Sequence, residues 1–164
     1  MVFIGYGSLI GLALSKVENR EVKKLGDFSE NVILIVNVAS YCGNTRQYVD
    51  LQKLHDIYSK KGLKILAFPC NDFGNQEPDS LTEIKNFCST KFGVKFEIME
   101  KINAKGITTE PYTTLNKVEQ SGDVEWNFEK FLIDKDSNVI ARFKPSVKPL
   151  DDNLIAAIEV ALDS

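Results

Sequence analysis

The residues of this chain best suited to chemistry are its three cysteines, Cys42, Cys70 and Cys88. A cysteine thiolate is a nucleophile and a redox centre, and its reactivity depends on how its surroundings treat the negative charge. Three cysteines in 164 residues cannot all pair within one chain, and they do not form a disulfide framework. We therefore expect free thiols and consider cysteine chemistry first.

Cys42 occupies the most reactive position of the three. It follows an apolar, β-branched segment, Asn31–Ala39, and precedes a helical pattern. α/β folds bind ligands at the carboxyl end of their strands, and a helix N-terminus lowers the pKa of a nearby thiol. The neighbouring residues 40–45 are mostly small or polar, which favours a reactive thiol over a buried, inert one.

The other two cysteines have a stronger structural interpretation. Cys70 follows the strand segment LKILAFP, and Cys88 lies beside Phe87 on a predicted helix. Free cysteines are commonly core residues, so the residue pattern alone favours a core position for both. Two alternatives stay open: Cys70 at the same sheet edge as Cys42, and Cys88 as a thiol partner for oxidised Cys42.

Composition argues against several other function classes. A single histidine, His55, and the lack of a CxxC motif disfavour a structural zinc site. A net charge of −3, from 20 basic and 23 acidic residues, is too small and too evenly mixed for a nucleic-acid surface. No apolar run approaches the roughly 18 residues of a membrane span. The apolar fraction of 43% excludes a disordered chain.

The segments around Cys42 predict a parallel β-turn-α-β unit. After the Asn31–Ala39 strand, apolar residues recur at helical spacing up to a stop at Gly62. The apolar residues of that helix face are Tyr48, Leu51, Leu54 and Tyr58. Leu63–Phe68 is the next predicted strand, and such units are right-handed.

The rest of the chain predicts helices and a hairpin. Ser80 opens a helix through a capping box with Glu83. Phe128–Asp134 and Val139–Phe143 form a predicted β-hairpin, and Asp151 precedes the last helix. Between them, residues 94–102 predict a loop with a short strand, and residues 111–118 predict a short helix. This order is typical of one α/β domain with a thioredoxin-like arrangement, in which helices flank a central mixed sheet.

The N-terminal residues 2–14 are apolar enough to resemble a signal peptide. A basic first segment and an A-x-A cleavage site are both missing, so we expect a strand preceded by an extension over residues 1–9. The expected location is the cytoplasm, and the apolar segment leaves secretion or organelle targeting as the alternative.

Three segments carry a resemblance to a known family. NVASYCGNT, LAFPCNDFGNQEP and WNFEKFLID resemble the signature blocks of the glutathione peroxidase family, in the same order and with similar spacing. The resemblance runs from about Ile10 to the C-terminus. It implies a thioredoxin-like fold and the reduction of hydrogen peroxide and organic hydroperoxides. It implies no bound cofactor, with thioredoxin or glutathione as the reducing co-substrate.

The same resemblance implies a set of site residues. Cys42 takes the place of the peroxidatic residue, and Gln76, Trp126 and Asn127 complete the family's tetrad. Phe87-Cys88 matches the Phe-Cys context of the resolving cysteine in thioredoxin-dependent members. Cys70 matches a family cysteine that is not usually the resolving one.

The chain also departs from the family pattern. The segment between Pro111 and Trp126 is short, which favours a monomer, Glu110 stands where a histidine is common, and Tyr41 stands where a lysine is frequent. No basic residues could be assigned to glutathione binding. The expected function is a thioredoxin-dependent thiol peroxidase, with a glutathione-dependent peroxidase or a peroxide sensor that relays a disulfide as alternatives. The intact tetrad disfavours an inactive thioredoxin-like binding module.

Overall fold

The computed structural model of the chain describes residues 13–16, 21–118 and 122–164. The strands are β1 (Ala13–Lys16), β2 (Glu21–Lys24), β3 (Val32–Val38), β4 (Leu63–Pro69), β5 (Glu97–Ile98), β6 (Lys130–Ile133) and β7 (Val139–Phe143). The α-helices are α1 (Gln47–Tyr58), α2 (Leu81–Phe92), α3 (Tyr112–Leu115) and α4 (Asp152–Asp163). Short 3₁₀ turns occupy Leu25–Phe28, Gly43–Arg46 and Ser59–Lys61.

A mixed five-stranded sheet forms the centre of the described structure, with strand order β5-β4-β3-β6-β7. β3 pairs in parallel with β4, with Val32 opposite Leu63, and antiparallel with β6, with Ile33 opposite Ile133. β6 and β7 form the predicted antiparallel hairpin, and β1 and β2 form a separate two-stranded sheet. The predicted parallel β-turn-α-β unit is confirmed.

The sheet separates two hydrophobic cores. The first core packs α1, α2 and α4 against one face of the sheet and contains Cys88. The second core packs α3 and the connecting segments against the other face and contains Cys70. All seven residues of β3 are buried, because this strand has helices or loops on both faces and a neighbour on each edge.

Local sequence signals account for the bounds of α2. The Ser80 side chain accepts a hydrogen bond from the Glu83 N–H at 3.3 Å, and the Glu83 carboxylate accepts one from the Ser80 N–H at 2.9 Å. The helix ends at Gly93, whose φ of 62° is left-handed, as a helix C-terminus commonly requires. The predicted capping box is therefore confirmed.

No described helix is long and apolar enough to cross a membrane.

Three details refine the sequence-based expectations. The predicted N-terminal strand begins at Ala13, and residues 1–12, with the expected extension, lie outside the described residues. The helix after Cys42 opens with a 3₁₀ turn before α1 begins. Lys130, a polar position in the predicted hairpin, is fully buried because both faces of this sheet are covered.

Candidate active site

Cys42 lies in a tight turn that hydrogen bonds hold from both sides. The Cys42 N–H donates to the Thr45 hydroxyl oxygen at 3.0 Å, and that hydroxyl donates to the Ala39 carbonyl at 2.8 Å. The Cys42 sulfur accepts a hydrogen bond from the Asn44 N–H at 3.3 Å. The thiol is half-buried, so the turn fixes a reactive atom that solvent and substrate can still reach.

The loop after β4 is attached to the Cys42 turn by two hydrogen bonds. The Tyr41 N–H donates to the Gln76 carbonyl at 3.1 Å, and the Ser40 N–H donates to the Glu77 carboxylate at 3.1 Å. Gly74 has a φ of 68°, and a Cβ there would approach the Gln76 side-chain nitrogen to 3.3 Å. Glycine at this position therefore leaves room for the Gln76 amide beside the turn.

The third segment of the site is the turn that contains Trp126 and Asn127. The Asn37 side-chain amide donates to the Trp126 carbonyl at 3.1 Å, and the Phe128 N–H donates to the Asn37 carbonyl at 2.7 Å. Phe128 has a left-handed φ of 71°, and the buried Lys130 amine donates to its carbonyl at 2.6 Å. These bonds hold an unfavourable backbone conformation in place directly after Asn127.

The three segments meet at one end of the sheet. The Asn127 side-chain amide donates to the Gln76 side-chain oxygen at 3.0 Å, and the Asn44 amide donates to the Asn127 carbonyl at 3.4 Å. Trp126 is 40% exposed, and its ring packs 5.6 Å from the Phe73 ring. The structure thus brings the predicted residues Gln76, Trp126 and Asn127 to the Cys42 turn.

Cys88 and Cys70 are both buried, as the residue pattern predicts. They are 1% and 0% exposed, and burial raises the pKa of Cys88 to about 11 and that of Cys70 to about 12. Cys42 packs against the first core, which contains Cys88, whereas Cys70 lies in the second core across the sheet. Cys42 and Cys88 therefore share one side of the sheet.

Two residues that organise the site are not among those predicted from the sequence. Asn37 is a polar residue inside an apolar strand, which is a signal that could have identified it. Glu77 is fully buried beside the Cys42 turn, and its place directly after Gln76 in the second block is a signal that could have identified it. The Lys101 amine donates to the Glu77 carbonyl at 2.8 Å, and the Asn71 side chain accepts from the Glu77 N–H at 2.8 Å.

The Glu77 carboxyl group has a strongly altered acidity. Burial raises its pKa from 4.5 to about 7, although the contact with Ser40 and the charge of Lys101 act in the opposite direction. Its Oε1 atom accepts from the Ser40 N–H, and its Oε2 atom has no hydrogen-bond partner within the described part of the chain. The Cys42 turn thus rests on a buried titratable group, the Glu77 carboxyl.

The sheet order and the flanking helices define a thioredoxin-like fold, with Cys42 in the turn after β3. Solved structures agree. A thioredoxin-family thiol:disulfide interchange protein from Chlorobium tepidum TLS matches 96% of this chain and 99% of its own, with a TM-score of 0.67 at 14% identity. Trgpx in its apo form matches 98% of both chains, with a TM-score of 0.77 at 30% identity. The predicted fold class is confirmed.

Sequence comparison identifies the family within that class. The glutathione peroxidase family model matches residues 12–120. Hydroperoxy fatty acid reductase Gpx2 of Synechocystis sp. (strain ATCC 27184 / PCC 6803 / Kazusa) is 50% identical over 135 residues, which are 82% of this chain and 86% of that protein. The chain belongs to the glutathione peroxidase family, and it is an oxidoreductase that acts on peroxides.

Replacing Glu77 with glutamine should change how stability depends on pH. The Glu77 pKa is higher in the folded chain than in the unfolded chain, so the folded state holds this proton more tightly. The contribution of Glu77 to the stability of wild type therefore falls as pH rises from 4.5 through about 7. The glutamine of Glu77→Gln does not titrate. The free energy of unfolding of this variant should therefore rise relative to that of wild type over this pH range, by up to about 3 kcal/mol. Urea unfolding at pH 5 and pH 8 measures the difference.

The matched control is Glu125→Gln, which removes an exposed carboxylate that contacts Lys144 at 3.0 Å. This variant should follow the wild-type pH profile, because surface ion pairs contribute little. Parallel profiles for wild type and Glu77→Gln would contradict the assignment of a raised pKa to Glu77.

Proposed function

We propose that the chain reduces hydroperoxides through Cys42, forms an intrachain disulfide with Cys88, and is returned to the dithiol form by a thioredoxin-type protein. The observation that carries the proposal is the meeting of three distant segments at one half-exposed thiol. The cycle uses side chains and a thiol reductant, so we infer no bound cofactor. All the residues involved come from one chain.

In the first step, the Cys42 thiolate attacks the terminal oxygen of the hydroperoxide. An S–O bond forms, the O–O bond breaks, and the leaving alkoxide or hydroxide takes a proton and departs as alcohol or water. The sulfur is oxidised by two electrons to a sulfenic acid. The Asn44 N–H, which donates to this sulfur at 3.3 Å, supports the nucleophile during the attack.

The uncharged residues around Cys42 have separate proposed roles. The Gln76 and Asn127 amides carry both donors and acceptors, so they can hydrogen-bond the peroxide oxygens and the sulfur. Their mutual bond of 3.0 Å fixes both amides before substrate arrives. The half-exposed Trp126 ring forms an apolar wall, which suits the carbon chain of an organic hydroperoxide.

In the second step, the Cys88 thiol attacks the Cys42 sulfenic acid. An S–S bond forms, the S–O bond breaks, the thiol proton leaves with the hydroxyl group, and water is released. Cys88 is favoured over Cys70 because it shares the first core with the residues behind Cys42. Since Cys88 is 1% exposed, part of α2 must unwind before the two sulfur atoms can meet.

The reductant and substrate complete the proposal. A disulfide within one chain is reduced by exchange with a protein dithiol, which is the chemistry of thioredoxin. The relative from Synechocystis is named as a hydroperoxy fatty acid reductase, and this name, with the exposed Trp126 ring, supports organic hydroperoxides as substrates.

Cys42→Ser should abolish peroxide reduction, because a serine hydroxyl stays protonated at neutral pH. The assay follows NADPH consumption with thioredoxin and thioredoxin reductase, or with glutathione and glutathione reductase, using hydrogen peroxide and a fatty acid hydroperoxide. Wild type should turn over faster with thioredoxin. Near-wild-type activity in Cys42→Ser would rule out Cys42 as the nucleophile, and faster turnover with glutathione would reject the proposed reductant.

Gln76→Ala and Asn127→Ala should each slow the peroxide step by about 2- to 100-fold, because each removes one polar contact to the reacting atoms. Stopped-flow Trp126 fluorescence under single-turnover conditions measures this rate. The control is Gln52→Ala, which removes a buried amide that accepts from the Lys95 N–H at 2.8 Å. If neither site variant differs from the Gln52 control, the amides have no part in the reaction.

Cys88→Ser should consume one equivalent of peroxide per chain and then fail to turn over with thioredoxin. With one equivalent, Cys42 still reacts, but its sulfenic acid has no internal partner. Excess peroxide then supplies a second equivalent that oxidises the sulfenic acid to sulfinic acid. Cys70→Ser is the matched control and should retain turnover, because Cys70 lies across the sheet. Peptide mass spectrometry of peroxide-treated wild type should detect a Cys42–Cys88 disulfide, and a Cys42–Cys70 disulfide would transfer the resolving role to Cys70.

A further inference from the structure

Tyr48 is a fully buried residue of α1 that the end of α2 covers. Its ring lies 5.4 Å from the Phe92 ring and 6.4 Å from the Phe96 ring, and the edge of the Phe128 ring packs against it at 5.4 Å. Its hydroxyl and the Cys88 thiol lie close enough to affect each other's pKa. Tyr48 is therefore part of the surface that holds Cys88 inside the first core.

The Tyr48 hydroxyl is poorly satisfied in this position. It has no hydrogen-bond partner of good geometry among the described residues, and the nearby thiol is a weak donor and acceptor. Burial raises the pKa of Tyr48 well above 10, and the charge of Glu77 acts in the same direction, so the group stays neutral. A buried hydroxyl without a good partner destabilises the conformation that buries it.

Unwinding of α2 changes these surroundings. Cys88 and Phe92 lie on the last two turns of the helix, so moving Cys88 toward Cys42 uncovers the Tyr48 hydroxyl. Water then satisfies the hydroxyl, and the destabilising contribution is lost. The closed conformation, in which α2 is intact and Cys88 is buried, is thus destabilised by the Tyr48 hydroxyl, whereas the open conformation, in which the end of α2 is unwound, is not.

We infer that Tyr48 is a positioning residue for the resolving thiol, whose buried hydroxyl primes α2 to release Cys88. The inference rests on the proposed function, because it concerns the step in which Cys88 attacks oxidised Cys42. Tyr48 takes no part in the attack on peroxide. It shifts the equilibrium between closed and open α2, and so sets the rate at which the disulfide forms.

Tyr48→Phe tests this inference, because phenylalanine keeps the ring and removes only the hydroxyl. Reduced protein is mixed with one equivalent of hydrogen peroxide, quenched with an alkylating reagent at timed intervals, and analysed by mass spectrometry. The Cys42–Cys88 disulfide should form about 3- to 10-fold more slowly than in wild type. In a parallel mixture with excess peroxide, which supplies the second oxidising equivalent, more sulfinic acid should accumulate. The rate of sulfenic acid formation should not change.

The control is Tyr112→Phe, which removes a second buried hydroxyl without a partner among the described residues. Tyr112 packs against Phe68 and Phe131 in the second core, away from α2. Removing its hydroxyl should stabilise the chain to a similar degree and leave the rate of disulfide formation within about twofold of wild type. An equal slowing in both variants would show that overall stability controls the rate, and would overturn the inference.

Hydrogen exchange of the reduced protein gives an independent measurement that needs no peroxide. Amides at the end of α2 should exchange about 3- to 10-fold more slowly in Tyr48→Phe than in wild type, because the open state becomes rarer. Unchanged exchange, or disulfide formation as fast as in wild type, would overturn the role of Tyr48 alone. A wild-type protein that forms no Cys42–Cys88 disulfide would instead reject the proposed resolving step.

Discussion

Two hydrogen bonds of Asn37, one donated and one accepted, hold the site together. Its side chain binds the Trp126 carbonyl and its backbone carbonyl accepts from Phe128, so the buried central strand fixes a turn almost 90 residues further along the chain. β3 also leads directly into the Cys42 turn. One strand therefore determines both the place of the thiol and the place of the turn with Asn127. The loop with Gln76 joins them through Tyr41 and Ser40.

The surroundings of Cys42 differ from those of a site that relies on a charged base. Amides and an indole lie on the segments that meet at the Cys42 turn, whereas two ionisable groups, Glu77 and Lys130, are buried in the layer that supports them. Burial brings the pKa of each toward about 7, from opposite directions. Because both groups bind backbone, they hold in place the two turns that carry Cys42 and Asn127.

Local signals in the sequence were sufficient to predict most elements. The apolar run of β3, the capping box of α2 and the glycine after α1 each act within a few residues, so no tertiary information was needed. The partners of Asn37 and Lys130 could not be predicted, because such a polar residue in a strand has many possible partners far along the chain. The faces occupied by Cys70 and Cys88 were also undetermined, since each depends on how its segment packs on the sheet.

The two ends of α2 are not equivalent, and this asymmetry gives its unwinding a direction. The reciprocal bonds between Ser80 and Glu83 anchor the first turn, and Lys101 ties the loop before it through the Asp79 carbonyl at 2.9 Å. The far end has no such side-chain cap among the described residues and closes through backbone bonds: the Gly93 N–H donates to the Ser89 carbonyl at 3.1 Å, and the Val94 N–H donates to the Cys88 carbonyl at 3.2 Å. In the proposed cycle, fraying from Gly93 would break two backbone hydrogen bonds and reach Cys88 before the anchored first turn. The helix would then release its cysteine and keep a folded first turn from which to re-form.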